Sequence, residues 1–161
     1  MRLFLLALSF SLSFAAAATA GDYASAISAY RHAHGLSAVR LDSRLSAVAL
    51  AQARAMASSG TVSHSAGGSF ATRVAGLRKS RAAENIGAGF LSFPEMLKQW
   101  EDSSGHRENL LMAGARRVGV ASADTEVALP EILGDGDHGL RVTISRAWLC
   151  LGTSRTASSN P

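Results

Sequence analysis

The chain has 161 residues, of which 47% are hydrophobic, and it carries 16 Lys and Arg against 12 Asp and Glu. A chain of this size is enough for one domain with one core, and it does not favour two. Its single cysteine, Cys150, excludes an intramolecular disulfide, so the core must hold the fold unaided. Four basic residues lie within residues 73–81, and we expect them to face solvent or an anionic surface, but no aromatic residue is interleaved for base stacking. Nucleic acid is therefore not an expected partner.

The first 20 residues have the composition of a secretory signal peptide. One basic residue, Arg2, precedes an apolar run too short to span a bilayer, and Ala18 and Ala20 are the small residues that signal peptidase requires. These residues favour cleavage over an uncleaved anchor, and the residue directly after the cleavage site is Gly21, not a cysteine that could carry a lipid. Loss of Arg2 leaves 15 Lys and Arg against 12 Asp and Glu, a net charge of +3. We expect one mature domain over residues 21–161, exported to the periplasm or the extracellular space without a stable membrane anchor.

The first half of this domain contains three predicted helices with recognisable ends. Asp22 is a favourable N-cap for a helix that runs to about His34. Asp42 caps a second, alanine-rich helix that ends at Gly60. Its many alanines permit close packing against a neighbouring layer, so we expect this helix to be central. Ser69 caps a short third helix.

Two short segments between helices carry candidate site residues. Ser63-His64-Ser65 leaves the second helix in an extended conformation. Glu84 begins a segment that alternates with the period of a strand as far as residue 90, and its glycines indicate that another backbone or a ligand approaches closely. A carboxylate that starts a strand faces solvent more often than it catalyses. Composition alone leaves both interpretations of Glu84 open.

The second half of the domain is predicted to hold one more helix and two more strands. Ser92 and Glu95 form a capping box that opens the helix. His106 then begins a tight segment after the helix has ended. Apolar alternation predicts strands near residues 118–120 and 142–148. This order of elements predicts an α+β domain in layers, with an antiparallel sheet covered by helices.

Six short motifs between residues 29 and 120 occur in a specific order and spacing. They are Ala29-Tyr30-Arg31 with His34-Gly35-Leu36, Leu41-Asp42-x-x-Leu45, Ser63-His64-Ser65, Ala83-Glu84-Asn85-Ile86, Trp100-x-x-Ser103-x-Gly105-His106-Arg107-x-Asn109-Leu110-Leu111, and Val118-Gly119-Val120. A chain with these motifs resembles the CAP superfamily, which groups cysteine-rich secretory proteins, antigen five and plant pathogenesis-related proteins. The resemblance is to the bacterial, secreted, single-domain (SCP-like) form.

The resemblance implies a fold and a cavity. The fold would be a three-layer α-β-α sandwich with a central, mainly antiparallel sheet and an open cavity. The family's two histidines and first glutamate would project into this cavity as His64, His106 and Glu84. Asn85 and Ser103 belong to the same motifs and are the other candidate cavity residues.

Two departures from the family's pattern affect the site and the C-terminal part. Family members with four cavity residues carry a second glutamate three positions after the helix tryptophan, Trp100, where this chain has Ser103. Glu101 does not replace it, because at about 100° per residue it lies roughly 200° around the helix from residue 103. The part after about residue 120 is atypical because it lacks the aromatic-rich ending of the family.

The three cavity side chains support two classes of function. His64, His106 and Glu84 are a common ligand set for zinc, and the resemblance implies that some members bind a divalent metal at the two histidines. Without metal, Glu84 would orient one histidine in a polar network. A metal-dependent hydrolase would use these three residues. The absence of a Gly-x-Ser-x-Gly turn, a reactive thiol and a second carboxylate instead favours a binding module for a lipid, a cell-envelope fragment or a protein partner.

Overall fold

The computed structural model describes residues 20–77, 81–89, 91–128 and 141–154, and the predicted signal peptide lies outside them up to residue 19. Helices and strands intermix along these ranges, in agreement with the predicted α+β class. The helices are α1 (Ala20–Ala33), α2 (Ser43–Ser59), α3 (Phe70–Ala75), α4 (Phe93–Asp102) and α5 (Ser104–Leu110). The strands are β1 (Arg40–Leu41), β2 (Arg81–Gly89), β3 (Ala115–Ala128) and β4 (Arg141–Ser154). None of the helices in this described part has the length and apolar character that crossing a bilayer requires.

The predicted helix ends are confirmed where a side chain caps the backbone. The carboxylate of Asp42 accepts hydrogen bonds from two N–H groups in the first turn of α2, at 3.0 and 3.2 Å. The same helix ends at Gly60, whose φ of 63° is left-handed. Ser69 caps α3, and Ser92 with Glu95 closes the capping box of α4. Local capping chemistry therefore sets these boundaries.

Two other predicted boundaries are wrong. The first helix begins at Ala20, so Asp22 lies inside its first turn instead of capping it. An acidic residue is favourable at either position because both lie at the positive end of the helix dipole. The segment that the sequence starts at His106 is a short helix that begins two residues earlier, at Ser104.

A single four-stranded sheet in the order β1-β3-β4-β2 connects these helices. β4 runs antiparallel to both of its neighbours, and residues 146–154 of β4 pair with β2. β1 contributes two residues that run parallel to β3. β2 begins at Arg81, so Glu84 lies within the strand, opposite Leu151, and not at its start as the sequence predicts.

Helices cover both faces of this sheet. Along β3, Val118 and Val120 pack with α1 and α4, whereas Ala121 packs with α2, as the alternation of side chains along a strand requires. Gly119 lets α2 approach the sheet, because a Cβ atom there would lie 2.2 Å from the carbonyl carbon of Leu45. The alanine-rich helix therefore packs directly on the sheet, as its composition predicts.

Candidate functional site

The loop that carries His64 is held by a buried glutamine on α2. Gln52 is fully buried, its Nε2 donates to the carbonyl of Ser63 at 2.7 Å, and its Oε1 accepts from the N–H of Gly67 at 2.8 Å. One amide therefore joins both ends of residues 63–67. A Cβ atom at position 67 would lie 2.7 Å from this Oε1, so glycine is what permits the approach. The position of His64 is set by α2.

Glu84 is a buried carboxylate whose charge is matched by Arg73 of α3. The side chain of Glu84 is 2% exposed and that of Arg73 is 8% exposed. Nη1 of Arg73 donates to Oε2 at 2.6 Å and Nη2 donates to Oε1 at 2.9 Å, the bidentate geometry that a guanidinium and a carboxylate prefer. Nη2 also donates to the carbonyl of His64 at 2.8 Å. Arg73 therefore belongs to the site, and its assignment to a solvated or anion-facing basic segment over residues 73–81 is wrong.

His64 makes the remaining hydrogen bond to Glu84. Its Nδ1 lies 2.7 Å from Oε1, and because an ionised carboxylate only accepts, we assign the proton to Nδ1. In the neutral ring, Nε2 then carries the lone pair, and the His64 side chain is 56% exposed. Nε2 is thus the atom of this pair that can accept a hydrogen bond, take a proton or bind a metal.

Asn85 fixes α5, which carries His106, against β2. Its Nδ2 donates to the carbonyl of His106 at 2.9 Å. Its Oδ1 accepts at 2.9 Å from Nδ2 of Asn109, which also donates to the carbonyl of Glu84 at 3.2 Å. Asn85 is buried and lines a water-sized cavity of about 20 Å³ together with Arg31. Neighbouring residues of a strand project to opposite faces, so Asn85 serves the framework and not the open cavity in which the sequence places it.

An open groove of about 460 Å³ lies beside His106. Met96 and Trp100 of α4 are buried and form its apolar floor, and Ile86 of β2 also lines it. The indole Nε1 of Trp100 donates to the carbonyl of Ile86 at 3.1 Å, which ties α4 to the strand. The rim is polar and includes Ser103 and His106. Apolar surface with a few polar groups at the edge is the usual lining of a small-molecule site.

His106 is half-buried at this rim. Burial lowers the pKa of its imidazole below the ordinary value of 6.5, and the nearby charge of His64 lowers it further. The ring is therefore neutral at neutral pH. Of the three side chains predicted to meet in the cavity, His64 and Glu84 are in direct contact, and His106 lies within electrostatic range of His64.

Ser103 lies where α4 passes into α5, and it lines the same groove as His106. Its N–H donates to the carbonyl of Gln99 at 3.2 Å, and its carbonyl accepts from the N–H of Arg107 at 2.8 Å. Among the described residues its hydroxyl makes no hydrogen bond to a histidine. Nothing in this geometry activates Ser103 as a nucleophile.

The metal-ligand set predicted from the sequence is incomplete. Both oxygens of Glu84 are engaged by Arg73, and the described residues contain no group of three or more His, Cys, Asp or Glu side chains that could hold a metal ion. Zinc in proteins normally has at least three protein ligands. Glu84 is therefore not available as a third ligand, and His64 and His106 are the two donors of the set that remain.

Arg73 and Gln52 are site residues that the sequence patterns do not single out. A signal for Gln52 exists, because it lies three residues after Ala49 and four before Met56, on the buried face of α2. A lone polar residue on such a face must find partners inside the fold. No comparable signal exists for Arg73, because its partner Glu84 is 11 residues away in the sequence and lies on a strand instead of the same helix.

Comparison with known protein families gives one match. The sequence model of the cysteine-rich secretory protein family (CAP) matches residues 24–127. That range contains all five cavity candidates as well as Arg73 and Gln52. No curated protein matches the chain in sequence.

Solved structures of three bacterial proteins are similar in fold. An outer surface protein from Borrelia burgdorferi has a TM-score of 0.64 at 19% identity, over 83% of this chain and 90% of that chain. An extracellular protein containing a SCP domain from Bacillus anthracis has a TM-score of 0.64 at 21% identity, over 83% and 39%. A cysteine-rich secretory protein from Staphylococcus aureus has a TM-score of 0.55 at 17% identity, over 83% and 38%. This chain thus spans about two fifths of the last two proteins, and at these identities the likeness shows the fold.

Proposed function

Because the chain belongs to the cysteine-rich secretory protein family, which confirms the CAP resemblance of its motifs, we propose that it is an exported ligand-binding domain. The groove beside His106 is its binding site, and a small amphipathic molecule is its ligand. Of the three partner classes expected from the sequence, a lipid suits an apolar floor with a polar rim better than a cell-envelope fragment or a protein does.

The engagement of Glu84 is the observation that carries this proposal. Both of its oxygens accept hydrogen bonds from Arg73, and one of them also accepts from His64. A general base must have a lone pair that can reach the proton it removes. Glu84 can orient His64 in this arrangement, but it does not face a substrate. Nε2 of His64 is then the only base that this pair offers, and Ser103 provides no activated nucleophile for it, so the geometry supports binding better than catalysis.

The proposed location, in the periplasm or outside the cell, rests on the signal peptide predicted for residues 1–20. Mass spectrometry of the exported protein should find Gly21 at the N-terminus. An exported chain that retains residues 1–20 would overturn this part of the proposal.

Titration with cis-parinaric acid, a fluorescent fatty acid excited directly, tests the groove. Wild-type protein should enhance its fluorescence saturably, with one site per chain. Ser103→Trp should weaken binding by about tenfold or more, because the indole would occupy the mouth of the groove. A tenfold loss corresponds to only about 1.4 kcal/mol of binding free energy.

A matched control places tryptophan on the exposed surface of α5, the helix that Ser103 precedes. Glu108→Trp lies outside the groove lining and should bind the probe as wild type does. Absence of saturable binding to wild type, or equal losses in the two tryptophan variants, would contradict the groove as the binding site.

A metal-dependent hydrolase is the second candidate, and the His64–Glu84 hydrogen bond favours it. Metal-bound histidines commonly donate their other ring N–H to a carboxylate, as Nδ1 of His64 does here. His64 and His106 would hold the divalent cation, zinc being the first choice, and Glu84 would orient His64. The cation would supply an activated water.

Calorimetry with zinc and activity assays separate this candidate from the first. Zinc should bind wild type and not the His64→Ala, His106→Ala double variant, with affinity falling as pH drops through the imidazole range. Hydrolysis of peptide, ester or muramyl substrates should require zinc and be lost with chelator and in Glu84→Gln. Equal zinc binding by wild type and the double variant would reject this site.

A further inference from the structure

A second and larger groove, of about 860 Å³, shares no lining residue with the groove beside His106. It is lined by residues 37–38 and 40–44, which include β1 and the start of α2, and by Arg116 and Arg117 of β3. The short parallel pairing of β1 with β3 brings these two parts of the chain together. Nothing in the proposed function uses this surface.

The groove concentrates positive charge. Its lining includes four arginines, Arg40, Arg44, Arg116 and Arg117, but a single carboxylate, that of Asp42. Asp42 is fully used within the fold, because its Oδ2 accepts from Arg117 at 2.9 Å and its Oδ1 caps α2. The other three arginines are exposed and, among the described residues, have no carboxylate partner.

A fifth guanidinium, that of Arg31, is buried behind this surface. Arg31 is 1% exposed, and its hydrogen bonds all go to backbone carbonyls, among them Ser37 at 2.9 Å and Leu110 at 2.7 Å. Burial lowers the pKa of Arg31, and the charge of Arg116 lowers it further. Cations are therefore crowded here without a matching anion in the described part of the chain. An anion bound in the groove would offset their repulsion.

We propose that this groove binds a small anion that carries two or more phosphate groups. A guanidinium presents a planar fork of N–H donors that matches a phosphate, which makes arginine the preferred residue for such sites. Three unmatched arginines in one groove can serve more than one phosphate, and the volume exceeds what a single phosphate fills. The surface is concave, so it suits an anion that enters it better than a flat layer of lipid headgroups.

Calorimetry with tripolyphosphate at low ionic strength tests the assignment. Tripolyphosphate should bind wild type, and inorganic phosphate should bind much more weakly because it offers one group instead of three. Arg40→Gln, Arg44→Gln and Arg116→Gln should each weaken tripolyphosphate binding by about tenfold, since hydrogen bonds to charged groups are strong. All three residues are exposed, so these variants should keep the wild-type melting temperature.

Arg54→Gln is the matched control. Arg54 is an exposed arginine on α2 that does not line the groove, so this variant removes the same charge from the same helix as Arg44→Gln. It should bind tripolyphosphate within about twofold of wild type, because the attraction between an exposed charge outside the groove and the bound anion is weakened by screening. An equal loss in Arg54→Gln and Arg44→Gln would overturn the proposal. So would wild-type protein that binds phosphatidylglycerol vesicles but not tripolyphosphate, because a charged surface and not the groove would then be responsible.

Discussion

The guanidinium of Arg73 and the carboxylate of Glu84 form a buried, bidentate ion pair, with Nη1 2.6 Å from Oε2 and Nη2 2.9 Å from Oε1. This pair ties α3 to β2. Arg73 also donates to the carbonyls of His64 at 2.8 Å and Gly68 at 3.2 Å, so it fixes the backbone on both sides of the histidine loop. The orientation of the His64 ring therefore depends on both members of the pair.

Removal of Arg73 alone should be severe. Arg73→Ala leaves the Glu84 carboxylate buried without its main partner, and loss of one member of a buried pair costs about 3–5 kcal/mol. Urea unfolding measures this cost. The exposed Arg54→Ala should leave the unfolding midpoint unchanged. Similar unfolding midpoints for the two variants would show that the ion pair does not hold the site together.

Gln52→Ala should loosen the loop that carries His64. It removes both the donor to the Ser63 carbonyl and the acceptor for the Gly67 N–H, at a cost of about 1–3 kcal/mol for unsatisfied buried groups. Hydrogen exchange of the Gly67 amide should accelerate by more than tenfold. Gln99→Ala, which removes an exposed amide from α4, should leave this exchange rate unchanged. Unaltered Gly67 exchange in Gln52→Ala would contradict the role of the buried amide.

Three glycine-to-alanine variants should differ in stability for reasons of space. At Gly119 the new methyl group would lie 2.2 Å from the backbone of Leu45, so α2 would have to move, at a cost of about 3 kcal/mol or more. At Gly87 it would lie 2.5 Å from Sδ of Met96, a flexible side chain that can yield, so the cost should be smaller. At Gly76 nothing lies within 4 Å, and stability should not fall. Equal melting temperatures for the three variants in thermal unfolding would contradict the close packing of α2 on Gly119.

His106 should make stability depend on pH below neutrality. Unfolding returns its imidazole to the ordinary pKa of 6.5, so the unfolded chain takes up a proton more readily than the folded chain does. The stability that the neutral ring contributes is complete above about pH 6.5 and is lost as the pH falls from there through the lower folded pKa. Urea midpoints measured from about pH 8 to pH 4 should fall more steeply for wild type than for His106→Gln. His32→Gln, at an exposed position, should follow wild type.

Much of the fold follows from local chemistry in the sequence. Asp42, Gly60, Ser92 and Glu95 set helix ends through hydrogen bonds or backbone angles within a few residues, and such signals can be read without tertiary structure. Trp100 shares a helical face with other apolar residues and is buried, as that spacing requires. The parallel strand β1 is not predictable in this way, because two residues carry no periodicity.

The site was less accessible to sequence reasoning because its contacts are not local. Four basic residues close together indicate a solvated segment, and only the packing of α3 on β2 turns Arg73 towards Glu84. Asn85 lies in the same motif as Glu84, but the alternation of β2 sends its amide to the opposite face, where it holds α5. Motif membership thus identifies the neighbourhood of the site, whereas strand geometry decides which side chains enter it.

The central claim, that the groove beside His106 is a ligand site, is tested most directly by NMR of metal-free wild-type protein titrated with a fatty acid. The methyl signal of Met96 and the ring signals of His106 should shift together and saturate at one equivalent, because both residues line the groove. The ring signals of His32, which is exposed on α1, should stay unchanged. Shifts that spare Met96 and His106, or no saturable shift at all, would contradict the account.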